Sequence, residues 1–460
     1  MNWQDILLAM LPEHLLLVGI VLLIGLELVS DRPRGALALA LFTVVAATAA
    51  AALLATNGYA SAPFAGHFSV NPATLTAKAL VLALVLPTLL LSRDDFSETR
   101  FHILLLSSIY GVCLLMSSDS FLTMFLGLEI MSLPVYVLVL LAFQRPEGPE
   151  AALKYLVLSS AATATFLMGV SLLYGGTGTL DLSAFSRALG SPNTMAQAAV
   201  VLVVVAFFLK AAIVPFHAWA PDAYEGASVP VTAYMATIVK AAVLLAAARL
   251  FSTTPVGRPM ADLLTLLPLI SMVWGNLAAI RQTSFRRMIA YSSIAHAGYL
   301  FFAFLGAGPG RFQAVVFYIL AYALMNLLAF ASLPRGADDA TSDRLDSLKG
   351  MYQRRPYAAL MLGLAMLSLA GIPPLPGFVA KFLIFKNVIA AGYTVYAVLG
   401  LIGSYLGIYF YLRVIQYAFM SADAVPQPAN ERTLALSASV LCLVPAVLVA
   451  LFPGWFIGQL

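Results

Sequence analysis

Apolar runs of about twenty residues, the length needed to cross a bilayer, recur along the whole chain, separated by short stretches of Pro, Gly and charge. The pattern predicts fourteen helices, at about 14–30, 36–56, 73–91, 101–116, 121–143, 150–175, 194–215, 228–250, 260–280, 287–305, 311–333, 356–390 (interrupted), 393–418 and 432–453. The helix at 101–116 is short, and the stretch 216–227 has room for a helical turn of its own. The expected fold class is therefore an all-α polytopic membrane protein, a single membrane domain over 1–460. Met1 to Glu13 contains Asp5 and Glu13 but no Lys or Arg, the wrong start for a secretory signal peptide. The run Leu15 to Val29 is accordingly read as a retained membrane helix.

Two segments look like degenerate copies of one design. The first runs from Phe207 through Lys210 and Pro215 to His217, with Pro221 soon after; the second runs from Leu369 through Pro373, Pro374 and Pro376 to Lys381. In each, proline breaks a helix beside a lysine. Proline removes a backbone donor and disturbs the carbonyl one turn back, which is tolerated at membrane depth where the backbone lines an enclosed, hydrated cavity. Paired interruptions of this kind point to inverted repeats with their binding sites at the breaks. The expected organisation is N-terminal helices over 1–100, one five-helix repeat over 101–250, a second, inverted repeat over 260–418, and a last helix over 432–453.

Composition narrows the function classes. The chain is 62% hydrophobic and 10% charged, with a net charge of +4 spread over many short loops. That leaves no basic stripe for nucleic acid and no room for a large soluble domain. The two cysteines, Cys113 and Cys442, lie inside apolar runs and read as inert core residues. They are too few for an iron–sulfur cluster, which normally needs four thiolates, and no nucleotide-binding glycine motif is present. No His spacing suggests a metal site. Any electron chemistry must belong to a partner.

Loop charge predicts orientation. One set of alternate loops carries Arg32 and Arg34, Arg93 and Arg100, Arg145, Arg281, Arg286 and Arg287, Arg335, Arg344, Lys349, Arg354 and Arg355, and Arg432; Asn57 to Pro72, in the opposite set, has no cation. Both termini should face the periplasm of a bacterial inner membrane. The long loop Pro334 to Arg355 should be cytoplasmic.

Lys210, Lys240 and Lys381 lie deep inside predicted spans, and Glu129 lies mid-helix in another, whereas the arginines lie at or near loops. A charge at the bilayer centre costs at least ~2.5–3.5 kcal/mol, so it normally faces a protein or water interior and has a role. Lysine can lose its proton when buried; arginine cannot. Buried, titratable cations together with a carboxylate suggest proton movement. Glu129 is read as exchanging protons or holding a lysine's charge, against a structural hydrogen bond. Glu129 and Lys210 are the candidate switching pair. Lys240 is too deep to snorkel comfortably, whereas Lys381 has that alternative, with Lys386 interfacial. Lys154 reads equally as an ordinary ion pair with Glu150 at i, i+4. His217 either relays protons or caps exposed backbone, and His296, beside Ser292 and Ser293, suits a proton wire or tight packing. Glu27, Asp31, Lys78, His14, His67 and His102 lie near predicted interfaces, where solvation accounts for them.

The motifs Leu128-Glu-Ile-Met-Ser-Leu-Pro134, Glu150 to Ser159, Ser171 to Gly178, Phe208-Leu-Lys through Pro215 to Asp222, and Ala370 to Phe378 resemble the antiporter-like membrane subunits of respiratory NADH:quinone oxidoreductase (complex I). The match covers nearly the whole chain. A lysine in the interrupted twelfth helix resembles the N-type branch, the counterpart of mitochondrial subunit 2, better than the M type, which typically has glutamate there. The chain ends after the fourteenth helix, without the long lateral helix of the L type. The resemblance implies a proton-translocating subunit in a hetero-oligomer of membrane and peripheral complex I subunits within the lipid bilayer. It places no cofactor in this chain; NADH, flavin, iron–sulfur clusters and quinone would be handled by partners. By the same resemblance Glu129 and Lys210 match the family's switch pair, Lys240 its central lysine and Lys381 its exit-side lysine, and Lys154 matches a further family lysine. The related multisubunit sodium/proton antiporters share this lysine framework, so a cation/proton antiporter subunit without redox chemistry is the alternative. A purely structural scaffold is a third reading, which three buried lysines argue against.

Overall fold

A computed structural model describes residues 3–29, 35–93, 95–96, 98–142, 146–251, 258–306, 310–333, 343–420 and 433–459. Among them, thirteen helices are long and apolar enough to cross a membrane. The interrupted element completes the predicted set as two shorter helices, Pro356–Ala370 and Pro376–Ala390. In the first half, α1 (Trp3–Ala9), α2 (Leu11–Val29), α3 (Ala36–Thr56), α4 (Pro72–Ser92), α5 (Thr99–Met116), α6 (Phe121–Leu140), α7 (Gly148–Thr177), α8 (Ser183–Leu189) and α9 (Thr194–Ala211) precede the first break. Next come α10 (Trp219–Gly226), α11 (Val229–Tyr234), a π-helical segment (Met235–Val239) and α12 (Lys240–Leu250). α13 (Arg258–Ile280), α14 (Phe285–Phe302) and α15 (Gly310–Ser332) lead into the second interrupted element.

Apolar helices sort by how much of their surface neighbours cover. The unit α11–α12 and helix α15 are buried along their apolar lengths and form the centre, while α2, α3 and α7 leave most of theirs on the outside. α12 packs against α5, α9 and α15. This central column is where a lysine can be held away from lipid. Helices α5 and α6 approach so closely that a Cβ on Gly111 would lie 2.2 Å from the backbone nitrogen of Met131.

The helical prediction missed one element. The cation-free loop between α3 and α4 holds a two-stranded antiparallel hairpin, β1 (Ser61–Phe64) with β2 (Phe68–Val70). The hairpin is stitched to the start of α6: Ser69 N donates to Ser117 O at 3.1 Å and Asp119 N to His67 O at 2.9 Å. The helix predicted at 228–250 also differs, because the five-residue π segment interrupts it just before Lys240. A wider turn of this kind is frequent at functional sites.

Both breaks have similar caps. α9 ends at Ala212, a non-glycine residue in the left-handed region (φ 61°), with Ile213 N donating back to Phe208 O. Helix Pro356–Ala370 ends at Gly371 (φ 89°), with Ile372 N donating back to Leu367 O. A left-handed cap with the sixth amide reaching the first carbonyl satisfies groups that the helix end would orphan. Among the described loop cations, Arg93, Arg100, Arg281, Arg286, Arg287, Arg344, Lys349, Arg354 and Arg355 lie on the face opposite the hairpin. Arg32, Arg34, Arg145, Arg335 and Arg432 of that set, Asp31, and residues 334–342 of the long loop lie outside the described residues.

Candidate functional site

α6, α7 and α9 bring the first group together. Lys210, in the last turn of α9, places Nζ 2.8 Å from Ser159 Oγ, 3.3 Å from Ser132 Oγ and 3.5 Å from Glu129 Oε1. The same carboxylate oxygen accepts from Thr163 Oγ1 at 2.6 Å. The lysine side chain is 6% exposed and the glutamate 22%, so Glu129 sits on the flank of the chain and is not fully enclosed as the sequence suggested. A cavity of about 10 Å³, at the limit for one water, lies beside Thr163 and Lys210.

The central group is built on α12 and α14. Lys240 Nζ donates to Ser293 O at 2.9 Å and also to Ser293 Oγ, and it is buried. Ser292, the next residue, bonds Tyr411 Oη at 2.5 Å, and that hydroxyl lies 3.1 Å from His296 Nε2. Tyr318 Oη meets the other ring nitrogen of His296 at 2.7 Å. Both imidazole nitrogens are thus engaged by phenols, a hydrogen-bonded arrangement and not mere packing.

Lys381 reaches back across the second break. Its Nζ donates to Leu369 O at 3.1 Å, Ala370 O at 3.0 Å and Ser404 Oγ at 3.0 Å, and lies 5.3 Å from the centre of the Tyr299 ring. A cation at a helix carboxyl end suits the dipole and the orphaned carbonyls. The lysine does not snorkel, whereas Lys386 is exposed. Tyr299 connects this group to the central one through its edge-on contact with the His296 ring, 5.6 Å between centres.

Lys154 pairs with Glu150 at 2.6 Å and with Asp222 of α10 at 2.7 Å; Arg287 meets Asp222 at 2.7 Å and Glu225 at 2.9 Å. These residues line an open cavity of about 390 Å³ on the face opposite the hairpin. Burial pushes the Asp222 carboxyl up, but Lys154 and Arg287 outweigh it and hold the group below its ordinary value. Along α7, Lys154 is only five residues, about 7.5 Å of rise, from Ser159 at the Lys210 group. Between them Tyr155 stacks on Trp219, ring centres 4.5 Å apart. Trp219 Nε1 also donates to Leu209 O, a carbonyl at the first break that accepts from Ala212 N as well. His217 Nε2 accepts from Trp274 Nε1 at 3.1 Å, so this histidine is part of the break's support and is not in contact with the lysine groups.

Several polar residues escaped the sequence reading. Ser132, Thr163, Ser404, Tyr318 and Tyr411 carry lysine, glutamate and histidine contacts, yet a hydroxyl on an apolar helix looks like any other until the facing helix is known. Lys78 needs correction: it is not solvated at an interface but fully buried against Glu13, Nζ to Oε1 2.5 Å. His102 is likewise buried, and neither ring nitrogen has a partner among the described residues. Glu27 pairs with the exposed Arg100 at 2.6 Å, and His67 is exposed. Arg286, counted as a loop cation, is wholly buried in a pair with Asp343 at 3.0 Å.

Residues 118–407 match the family described as "NADH:quinone oxidoreductase/Mrp antiporter, TM". The chain is 40% identical, over 94% of its length and 93% of the relative's, to the NADH-quinone oxidoreductase subunit N of Pelobacter propionicus. It is 35% identical to the subunit N of Laribacter hongkongensis over 91% of this chain and 89% of that one. Among solved structures, a chain of respiratory complex I from Thermus thermophilus with bound aureothin superposes with a TM-score of 0.83 and 34% identity, covering 97% of this chain and 98% of that chain. A chain of the Mrp complex from Dietzia sp. DQ12-45-1b gives a TM-score of 0.85 over 98% and 96% of the two chains, at 21% identity, a likeness of fold alone. With a family match over residues 118–407 and a relative 40% identical over 94% of the chain, this multi-pass membrane protein belongs to the NADH:quinone oxidoreductase/Mrp antiporter transmembrane family, on the side of its subunit N relatives.

Proposed function

We propose that the chain is the proton-translocating subunit N of a bacterial NADH:quinone oxidoreductase, a non-redox part of the translocase. Flavin, iron–sulfur clusters and quinone belong to partner subunits in this reading. The contact of Lys210 with Glu129 at 3.5 Å, among three helices that also present Ser132 and Ser159, carries the reading. A carboxylate at that distance favours the charged lysine, and its withdrawal or neutralisation removes that support. A proton released there has Lys240 and then Lys381 as further acceptors, with Ser293, Ser292, Tyr411, His296 and Tyr299 between them. Lys154 and the charged cavity around Asp222 supply the water-facing end. His217 holds the first break in shape.

The two breaks belong, in this reading, to inverted repeats over 101–250 and 260–418. The arginine-bearing face is the cytoplasmic one and the hairpin face the periplasmic one, with both termini on the periplasmic side of the inner membrane. The sodium/proton antiporter alternative draws on the shared family model and on fold likeness at 21% identity, whereas relatives at 34–40% identity carry the subunit N name.

The test is NADH-driven acidification in vesicles reconstituted with the whole complex, with peripheral flavin and iron–sulfur subunits identified by co-purification. Sodium-stimulated proton flux in the absence of NADH and quinone, with no such subunits retained, would transfer the chain to the antiporter class.

A further inference from the structure

Glu13 of α2 and Lys78 of α4 stand outside residues 118–407 and outside the lysine axis, yet both side chains are fully buried and Nζ lies 2.5 Å from Oε1. The other carboxylate oxygen, Oε2, is buried with no partner among the described residues. The further contact recorded for Nζ is the ring of Phe68, 5.0 Å from its centre. Phe68 belongs to the hairpin, which covers the pair from its own face of the molecule.

We propose that Glu13 and Lys78 are a second proton-exchange site, opening beneath the hairpin and changing protonation during turnover. A buried ion pair is a weak source of stability, since well-packed apolar residues of similar volume often do as well or better. A carboxylate with one oxygen unsatisfied is poorly served in its charged form and well served by a proton. Direct contact lets the transfer occur without a relay: one N–H bond of Lys78 breaks as an O–H bond forms on Glu13. The ion pair becomes a neutral acid and amine; a hydronium ion at the hairpin face recharges the amine and leaves as water, and the carboxyl later gives its proton back to water at that face as the ion pair reforms.

The neighbours leave this exchange uncontested. α5 presents Tyr110 and Cys113 towards Glu13, α3 carries no ionisable side chain, and His14 adds a buried Nε2 without a partner among the described residues. α11 and the helix Thr433–Leu451, packed on α4, carry Tyr234 and Cys442, and α1, packed on α2, carries Asp5. Arg311 on α15, which also packs on α4, is committed to Phe304 O and Phe251 O. The site connects to the lysine axis through the hairpin itself. His67 accepts from Asp119 N and Thr123 Oγ1 and meets Ser120 Oγ at 3.0 Å. Those residues flank the start of α6, and Glu129 lies eight residues beyond Phe121, about 12 Å along the helix. A shift of α6 therefore moves the lid over Lys78.

Redox-induced infrared difference spectra of the intact complex, recorded in H2O and D2O, read carboxyl protonation directly, with NADH-driven acidification measured on the same preparation. A deuterium-sensitive carboxyl band present in wild type and Glu129→Gln but lost in Glu13→Gln is the expected result. An unchanged carboxyl region in Glu13→Gln, in a complex that still pumps, overturns this site while leaving the subunit's assignment intact. If Glu13→Gln does not assemble, Glu13→Asp takes its place: a displaced band supports the site and an undisplaced one removes it.

Discussion

Lys210 Nζ lies closer to Ser159 Oγ, at 2.8 Å, than to Glu129 Oε1, at 3.5 Å. The carboxylate oxygen is held more tightly by Thr163, at 2.6 Å. Glu129 is thus shared between a cation and a hydroxyl, and small rotations decide which partner has it.

Replacing Glu129 by Gln keeps the volume and the acceptor for Thr163 but removes the counter-charge of Lys210. Pumping should fall by about tenfold for each 1.4 kcal/mol of charge stabilisation lost, while the complex still assembles. Proton flux per NADH equal to wild type, in a fully assembled variant, would take Glu129 out of the mechanism.

Arginine keeps the charge of lysine but does not give up its proton at working pH. Lys240→Arg and Lys381→Arg should therefore abolish most NADH-driven acidification even where NADH oxidation persists. The gradient opposes each charge by ~2.3 kcal/mol per 100 mV, so a site that holds its proton permanently cannot load it onto the far side. Wild-type flux in both variants, with assembly checked on native gels, would make these lysines fixed charges.

The Asp222 network has a pH signature. Because its carboxyl is held below the ordinary value, the group contributes stability above the unfolded-state pKa of about 3.9 and loses it as pH falls through the lower folded value. Asp222→Asn should accordingly be slightly less stable than wild type near neutrality, and the gap should close in strong acid. The effect is small, since water screens an ion pair this open. Denaturation curves at several pH values that show a gap widening towards acid would reverse the sign and contradict the assignment.

Orientation is testable by labelling. Ala65→Cys in the hairpin should react with an impermeant thiol reagent added to sealed cells, while Gln353→Cys should react only after permeabilisation. Both positions are exposed, so accessibility within the protein does not distinguish them. The opposite labelling pattern inverts the proposed topology.

Gly111 offers a packing test. Its missing Cβ is what lets α6 come within 2.2 Å of that position, whereas Gly175 has nothing within 4 Å. Gly111→Ala should cost ~1–3 kcal/mol, the usual range for overpacking, and reduce assembly; Gly175→Ala should be close to neutral. Equal yields of the two complexes would mean the α5–α6 contact is looser than described.

Long apolar runs and their punctuation made the spans legible, because bilayer thickness fixes helix length whatever the side chains are. The lysines were legible for a related reason: Lys210, Lys240 and Lys381 break an otherwise apolar pattern, and nothing else in their helices explains them. The partners of Lys240 and Lys381 were not, since Ser293 and Ser404 acquire their roles only through helix–helix geometry. Lys78 misled because its position near a predicted helix end implied water, when the short hairpin folds over that end and seals it. The π segment before Lys240 left no mark in composition at all.

At the second break, supply and demand for hydrogen atoms are matched. An ammonium has three, and Leu369 O, Ala370 O and Ser404 Oγ take one each. A neutral amine has two hydrogens and a lone pair, so one acceptor must go without. The two carbonyls can only accept, but the serine hydroxyl can turn about its C–O bond and donate to the lone pair. In the proposed relay, deprotonation of Lys381 reverses the one hydrogen bond to Ser404 and leaves the two to Leu369 O and Ala370 O at the broken helix end.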